Sequence, residues 1–319
     1  MTMPLAITEV FGYSPTDTSP EAVEHRESQQ CPFTKRLCWK TFRSGGVING
    51  TCSVKPPTSD EVIVCPNRLY AEGYAILRDV AKVAFGGQGQ MIRVSDVAST
   101  QGQAGRVVAF GKDWGGELRV PRAANNTGDY AVDWILALIS EDGELLEFVP
   151  VEVQSMDTTG SYQPEWYRLF GRTLPEGRVA KGSNINWENV NKRIIPQLMS
   201  KGNVFRREEL CKKGLFFVCP EPVYKRFMAR MGTKLSEFPF GSGSLTFRHY
   251  QLQPEVIPGV IRSLECKGQF TTTVENLRDA FNSTLGLPTM GVMTEAIQRA
   301  LARNTTGPRH NRPHRTPKQ

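Results

Sequence analysis

Residues 130–157 read YAVDWILALISEDGELLEFVPVEVQSMD, and their interpretation decides the fold. Two apolar runs flank a short acidic link, the pattern of two buried strands joined by a tight turn. The first run carries Asp133 and the second carries Glu152 and Gln154. Side chains alternate along a strand, so Glu152 and Gln154 share one face while Val151 and Val153 point the other way. An acid on one apolar strand beside an acid-x-polar pair on the next can fix oxygen ligands around a divalent ion. Burying carboxylates is costly unless a cation compensates, and a bound metal does so. The same acids also fit a solvated strand face paired with Lys or Arg, since short acidic motifs recur by chance. Glu117, near the start of a strand expected from residue 114, is either a third carboxylate or an exposed hairpin acid.

Outward from this pair, RVVAF at 106–110 reads as another strand. Residues 67–85 have helical spacing, with Leu69, Tyr70, Tyr74, Leu77, Val80, Ala81 and Ala84 on one face and Gly86-Gly87 as the stop. Downstream, a helix is expected over 186–201 with a kink at Pro196. A strand at 214–219, a helix at 221–231, a strand at 245–252 and helices near 274–285 and 292–303 follow. These alternating elements predict an α/β protein with a mixed sheet. Residues 1–30 are polar and acid-rich apart from a short apolar patch around Ile7–Phe11, and read as an N-terminal arm with at most one short helix. The end, 303–319, holds five Lys and Arg and no acid, and reads as a basic disordered tail.

Cys31, Cys38, Cys52 and Cys65 fall within one Gly- and Pro-punctuated, loop-like stretch that ends in the strand-like VIVC. Four cysteines so close together suggest a tetrathiolate site, for which tetrahedral sulfur suits zinc or iron. Their spacings, with six, thirteen and twelve residues between them, are not those of paired CxxC knuckles, and free, packed thiols fit as well. Cys211, Cys219 and Cys266 are scattered, and Cys219 closes an apolar run as a core residue would.

The 319 residues carry a formal net charge of +7, which favours a polyanionic partner. No basic-then-apolar leader opens the sequence and no apolar run is long enough for a membrane span, so a cytoplasmic protein with reduced thiols is expected. The NxT triplets at Asn49, Asn125, Asn282 and Asn304 are then chance matches. With four histidines, two of them (His310 and His314) in the tail and His25 in the arm, a His-based zinc hydrolase or a Ser–His–Asp triad is disfavoured. Gly86-Gly87-Gln88-Gly89 lacks dinucleotide-binding spacing, and Gly111-Lys112 is followed by Asp113 rather than Ser or Thr.

Several separated segments, in order, resemble the NotI-type restriction endonucleases. They are Cys31-Pro32-Phe33, Val64-Cys65-Pro66-Asn67-Arg68, Gly115-Gly116-Glu117-Leu118 and Val132-Asp133-Trp134. Val151-Glu152-Val153-Gln154-Ser155-Met156-Asp157 follows, with Gly160-Ser161-Tyr162 just beyond. The likeness is densest over 31–162 and dilute to about residue 230. It implies a PD-(D/E)xK nuclease core, a mixed sheet flanked by helices, covering 69–302, with the tetracysteine segment at 31–68. It also implies a type II enzyme hydrolysing double-stranded DNA with Mg²⁺ held by Asp133 and Glu152. Gln154 then stands where the motif lysine usually lies, able to position water but bringing no positive charge. Cys31, Cys38, Cys52 and Cys65 match the family's tetracysteine site, which holds structural iron in its best-known member.

The expectation is therefore a bacterial, homodimeric enzyme paired with a cognate DNA methyltransferase, cutting a G/C-rich palindrome to leave 5′-phosphate ends. Two rivals stay open: a repair or recombination nuclease without strict site specificity, and a metal-stapled DNA-binding protein without catalysis.

Overall fold

A computed structural model of the chain describes residues 5–42, 46–87, 89–112, 114–120, 129–159, 162–173, 184–231, 234–283 and 289–305. The basic tail beyond 305 and the Gly160-Ser161 pair lie outside these residues. The first elements are β1 (Ala6–Val10), α1 (Pro20–Ser28), β2 (Thr51–Lys55), β3 (Val62–Ile63), α2 (Ala71–Ala84), β4 (Gln90–Arg93) and β5 (Arg106–Gly111). Next come β6 (Arg119–Val120), β7 (Tyr130–Ala131), β8 (Trp134–Ile139), β9 (Leu145–Val153), β10 (Thr158–Thr159), α3 (Gln163–Leu169) and β11 (Asn184–Ile185). The chain continues through α4 (Ile195–Phe205), β12 (Leu215–Pro220), α5 (Glu221–Met231), β13 (Ser244–Leu252), β14 (Leu264–Thr273), α6 (Val274–Asn282) and α7 (Val292–Thr305).

The protein is α/β, built on a seven-stranded mixed sheet of order β14-β13-β12-β9-β8-β5-β4. Strands β5, β8 and β9 form an antiparallel meander, because the link between β8 and β9 is short enough for a hairpin. β12 then lies parallel to β9, and this reversal of sense needs a crossover, which includes α4. The opening pair of strands behaves as its composition dictates: every residue of β8 is buried, and so are the last five of β9. Val151 and Val153 pack with Leu77, Val80 and Ala81 of α2 on one sheet face. On the other, Phe217 and Phe247 pack with Leu198 of α4 and Phe227 of α5.

Residues 1–30 differ from the expected arm. β1 pairs antiparallel with β2, and Leu5, Ile7, Val10 and Phe11 are buried in the larger core. Glu9 of β1 is fully buried against Arg68, with Nε to Oε2 at 2.8 Å, and Arg262 reaches the same carboxylate at 3.2 Å. This tie spans 253 residues and fastens the N-terminus to the segment before β14. No strand was expected at β1, β4 or β14. The sequence LECKGQFTTT at 264–273 alternates half-buried and exposed positions as far as Phe270, as suits the edge strand it forms, before Thr271 and Thr272 become buried.

The expected helix over 67–85 opens with a 3₁₀ turn, Pro66–Tyr70, and its helical run is broken where Glu72, Gly73 and Tyr74 take left-handed φ of 55°, 62° and 66°. The 186–201 helix begins with a π-turn, Val190–Ile194, and Pro196 sits in the first turn of α4. The backbone is already helical at Ile194 and Ile195, so the wide π-turn just before Pro196 is where the helix departs from α geometry. No helix among the described residues is long and apolar enough to cross a membrane. Residues 1–281 form one compact unit and 282–319 another. In the latter, α7 exposes Met293, Ile297 and Leu301 at four-residue spacing.

Candidate active site

The hairpin register sets Trp134 opposite Val151, which brings Asp133, just before β8, beside Glu152 of β9. One Asp133 carboxylate oxygen accepts the main-chain N–H of Val153 at 2.8 Å. Glu152 is opposite Phe217 in the β9–β12 pair, so it points to the sheet face covered by α4. From that helix Lys201 reaches down and places its Nζ 2.6 Å from both Glu152 oxygens. Both partners are largely buried, with side chains 16% and 12% exposed.

This cluster holds two carboxylates against one ammonium, so a single cation does not neutralise it when both acids are ionised. Burial raises the pKa of both acids above the usual carboxylate range. For Glu152, desolvation comes first and Asp133 adds to it, while Lys201 opposes both, leaving it at about 7. Two like charges in low dielectric account for that direction. Glu117 adds to the upward push on Asp133, so it lies within electrostatic range.

Glu117 itself stands in the loop before the two-residue β6 rather than on a strand from residue 114, and it pairs loosely with Arg119 at 3.7 Å. Gln154 does not project into the cluster as a strand alternation would have it. Its backbone N–H continues the β9–β12 ladder to Val218 O at 2.9 Å, while its side-chain Nε2 donates to Ser155 O at 2.7 Å.

Asp133, Glu117 and Gln154 line a cleft of about 560 Å³. Its walls also present Arg36, Lys40, Lys112 and Arg193, with Trp39 and Tyr70, and Asp157, which pairs with Arg193 at 3.4 Å. Trp39 is 56% exposed, and Lys40 lies over its ring at 5.6 Å. One wall of the cleft is therefore the cysteine segment. Basic groups with interleaved aromatics suit a polyanion carrying stacked rings.

All four cysteines of that segment are buried thiols. Cys65 is drawn down to about 7, first by a hydrogen bond from Cys52 and then by Lys40 and the main-chain N–H groups of Asn67 and Arg68. Burial pushes Cys38 up to about 11 despite a main-chain N–H from Lys40, with Cys65 and Cys31 close enough to add to it. N–H groups aimed at sulfur favour thiolate, the form that binds metal. Only Cys65 is drawn toward thiolate, whereas Cys38 and Cys52 are pushed up, and no three of the four sulfurs converge closely enough to enclose an ion as they stand.

Among the described residues no three His, Cys, Asp or Glu side chains converge closely enough to enclose an ion by themselves. Mg²⁺ does not need such a cage, since one or two carboxylates plus water and substrate phosphate usually suffice. Asp133 and Glu152 supply two hard carboxylates with an unbalanced negative charge, and on that ground they fit.

Lys201 had no place in the sequence reading, being 49 residues from Glu152 on another element. The one available signal was a lone lysine on the helix that crosses from β9 to β12. No protein-family model and no curated protein matches this chain.

Proposed function

We propose that the chain is a Mg²⁺-dependent endonuclease of the PD-(D/E)xK type, acting on double-stranded DNA as a NotI-like type II restriction enzyme. The single observation that carries this is the buried meeting of Asp133 with Glu152, where Asp133 also lines a cleft carrying four basic side chains. The sheet is compatible with such a core: an antiparallel meander carries the acids, and a helical crossover leads to a parallel fourth strand.

Asp133 and Glu152 would hold the ion, which when bound supplies positive charge to the scissile phosphate and lowers the pKa of its water. Asp133 is fixed by the Val153 N–H, so its second oxygen is aimed by the strand pair rather than by a flexible loop. Arg36, Lys40, Lys112 and Arg193 would hold the neighbouring backbone phosphates. Overall, the oxygen of water bonds to phosphorus and the P–O3′ bond breaks with its electron pair on O3′. One proton of water ends on O3′ and the other on the new 5′-phosphate.

In this proposal a homodimer places one such site on each strand of a palindrome, and a cognate methyltransferase protects the host site. Cys31, Cys38, Cys52 and Cys65 would hold structural iron or zinc and stiffen the wall that carries Trp39 and Lys40.

Asp133→Ala tests the assignment. It should lose Mg²⁺-dependent cleavage of plasmid DNA while keeping a wild-type gel shift. Undiminished cleavage would remove Asp133 from the site. A smear of random fragments from the wild-type protein would favour a non-specific nuclease, and DNA binding with no cleavage a non-catalytic module.

A further inference from the structure

We infer that Lys201, delivered from α4, is the positively charged catalytic group of this site, in place of a lysine at position 154. The inference rests on the nuclease reading above. Three observations lead to it. Gln154 is neutral, and its amide is engaged with Ser155 O rather than with either acid. Lys201 Nζ sits 2.6 Å from both oxygens of Glu152, the acid two residues earlier in the chain. The site also holds Lys201 where a surface lysine would not stay: its side chain is only 16% exposed, and Gly202 beside it is packed so closely that a Cβ there would lie 2.4 Å from Val274 Cγ2. The helix backbone is thus pressed against α6, which fixes the root of the Lys201 side chain.

A bidentate contact to Glu152 serves the metal-free site, because it compensates one of two buried carboxylates. Once a divalent ion takes Glu152, the ammonium no longer has to balance it. Lys201 and Glu152 lie behind Asp133 rather than in the cleft lining, so in this inference the freed ammonium would turn past Asp133 toward the attacking water and a non-bridging phosphate oxygen. There it offers fixed charge and hydrogen bonds to the negative charge that develops as the P–O3′ bond breaks. Its role is electrostatic, and it takes no proton from water. Relocating the cation from strand to helix leaves the electrostatics intact, since the charge needs a position and not a particular sequence spacing.

The test compares wild type, Asp133→Ala, Lys201→Met, Lys201→Arg and the double variant Lys201→Met/Gln154→Lys, all as full-length protein with thermal melts as a folding check. Single-turnover plasmid cleavage in Mg²⁺, metal-free DNA affinity and calorimetric Mg²⁺ binding are read for each. Lys201→Met should slow cleavage about 10²–10³-fold, the loss expected for one transition-state donor. Its DNA affinity should change less than about threefold, and its Mg²⁺ affinity should be unchanged or tighter, because Lys201 competes for Glu152. Restoring a cation through Gln154→Lys should recover at least about tenfold of the lost rate, and Lys201→Arg should fall between wild type and Lys201→Met.

The inference fails if Lys201→Met cleaves within about threefold of wild type while Asp133→Ala is inactive. It fails also if Lys201→Met loses Mg²⁺ binding, or if Gln154→Lys brings no recovery in a folded protein, since Lys201 would then only brace Glu152. If Asp133→Ala cleaves normally, the nuclease site itself is misassigned, a separate result.

Discussion

Asp133 accepts the main-chain N–H of Val153 at 2.8 Å, so a side chain takes the place of the next rung in the β8–β9 ladder. The acid is thereby locked to the strand that carries Glu152, and their relative position is set by sheet geometry. Asp133→Asn should keep an acceptor for Val153 and fold normally, yet lose cleavage by about 10²-fold or more. Asp133→Ala orphans a largely buried N–H and should also cost about 1–3 kcal/mol in denaturant unfolding. Equal stability of the two variants would show that the hydrogen bond contributes nothing.

Metal-linked stability should depend on pH through Glu152. Its folded pKa of about 7 lies above the ordinary 4.5, chiefly from burial and then from Asp133. The folded state therefore binds a proton more tightly than the unfolded chain, and this residue's contribution is full below about 4.5 and lost as pH rises through about 7. Mg²⁺ needs the ionised form, so it should raise the melting temperature clearly at pH 8 and hardly at pH 5.5. A Mg²⁺ shift equal at both values would contradict the assignment.

The cysteine segment should carry about one iron or zinc ion per chain by elemental analysis, with loss of the ion lowering the melting temperature. Because Cys65 is drawn to about 7 by Cys52 and nearby N–H groups, Cys65→Ser should release the ion most readily. Metal-free protein with all four thiols titratable at full stability would refute this role.

Arg68 and Glu9 are both fully buried, and Arg68 also donates to Arg262 O at 2.6 Å. Arg68→Ala leaves a buried carboxylate served by Arg262 alone and should cost about 3–5 kcal/mol, measured by urea unfolding. Lysine should not rescue it, because it lacks the planar fork that meets both Glu9 oxygens.

Gly214 has φ of +64°, and a Cβ there would lie 2.0 Å from Ser244 O. Gly214→Ala meets backbone rather than a movable side chain, so it should destabilise the β12–β13 start by more than about 1 kcal/mol.

The strands at β8, β9, β12 and β13 were legible because buried sheet interiors are written as unbroken apolar runs. So was the pairing of Asp133 with Glu152, since a hairpin with a short link has few registers. Glu152 facing away from Val151 and Val153 followed from alternation, but Gln154 lies past the last strand residue, where alternation no longer governs it. β1 was hidden because its five residues, AITEV, mix polar and apolar types and pair with a strand more than forty positions away. Lys201 was illegible for a related reason. A charge that reaches a site from a crossover helix leaves no local pattern, and only the packing of α4 on β12 reveals it.

The central claim is best tested by digesting plasmid DNA with the purified protein in Mg²⁺ and sequencing the ends. Discrete fragments sharing one palindromic sequence, with 5′-phosphate ends and no cutting in EDTA, are the expected result. Intact plasmid across DNA sources and divalent ions, or ends sharing no sequence, would contradict it.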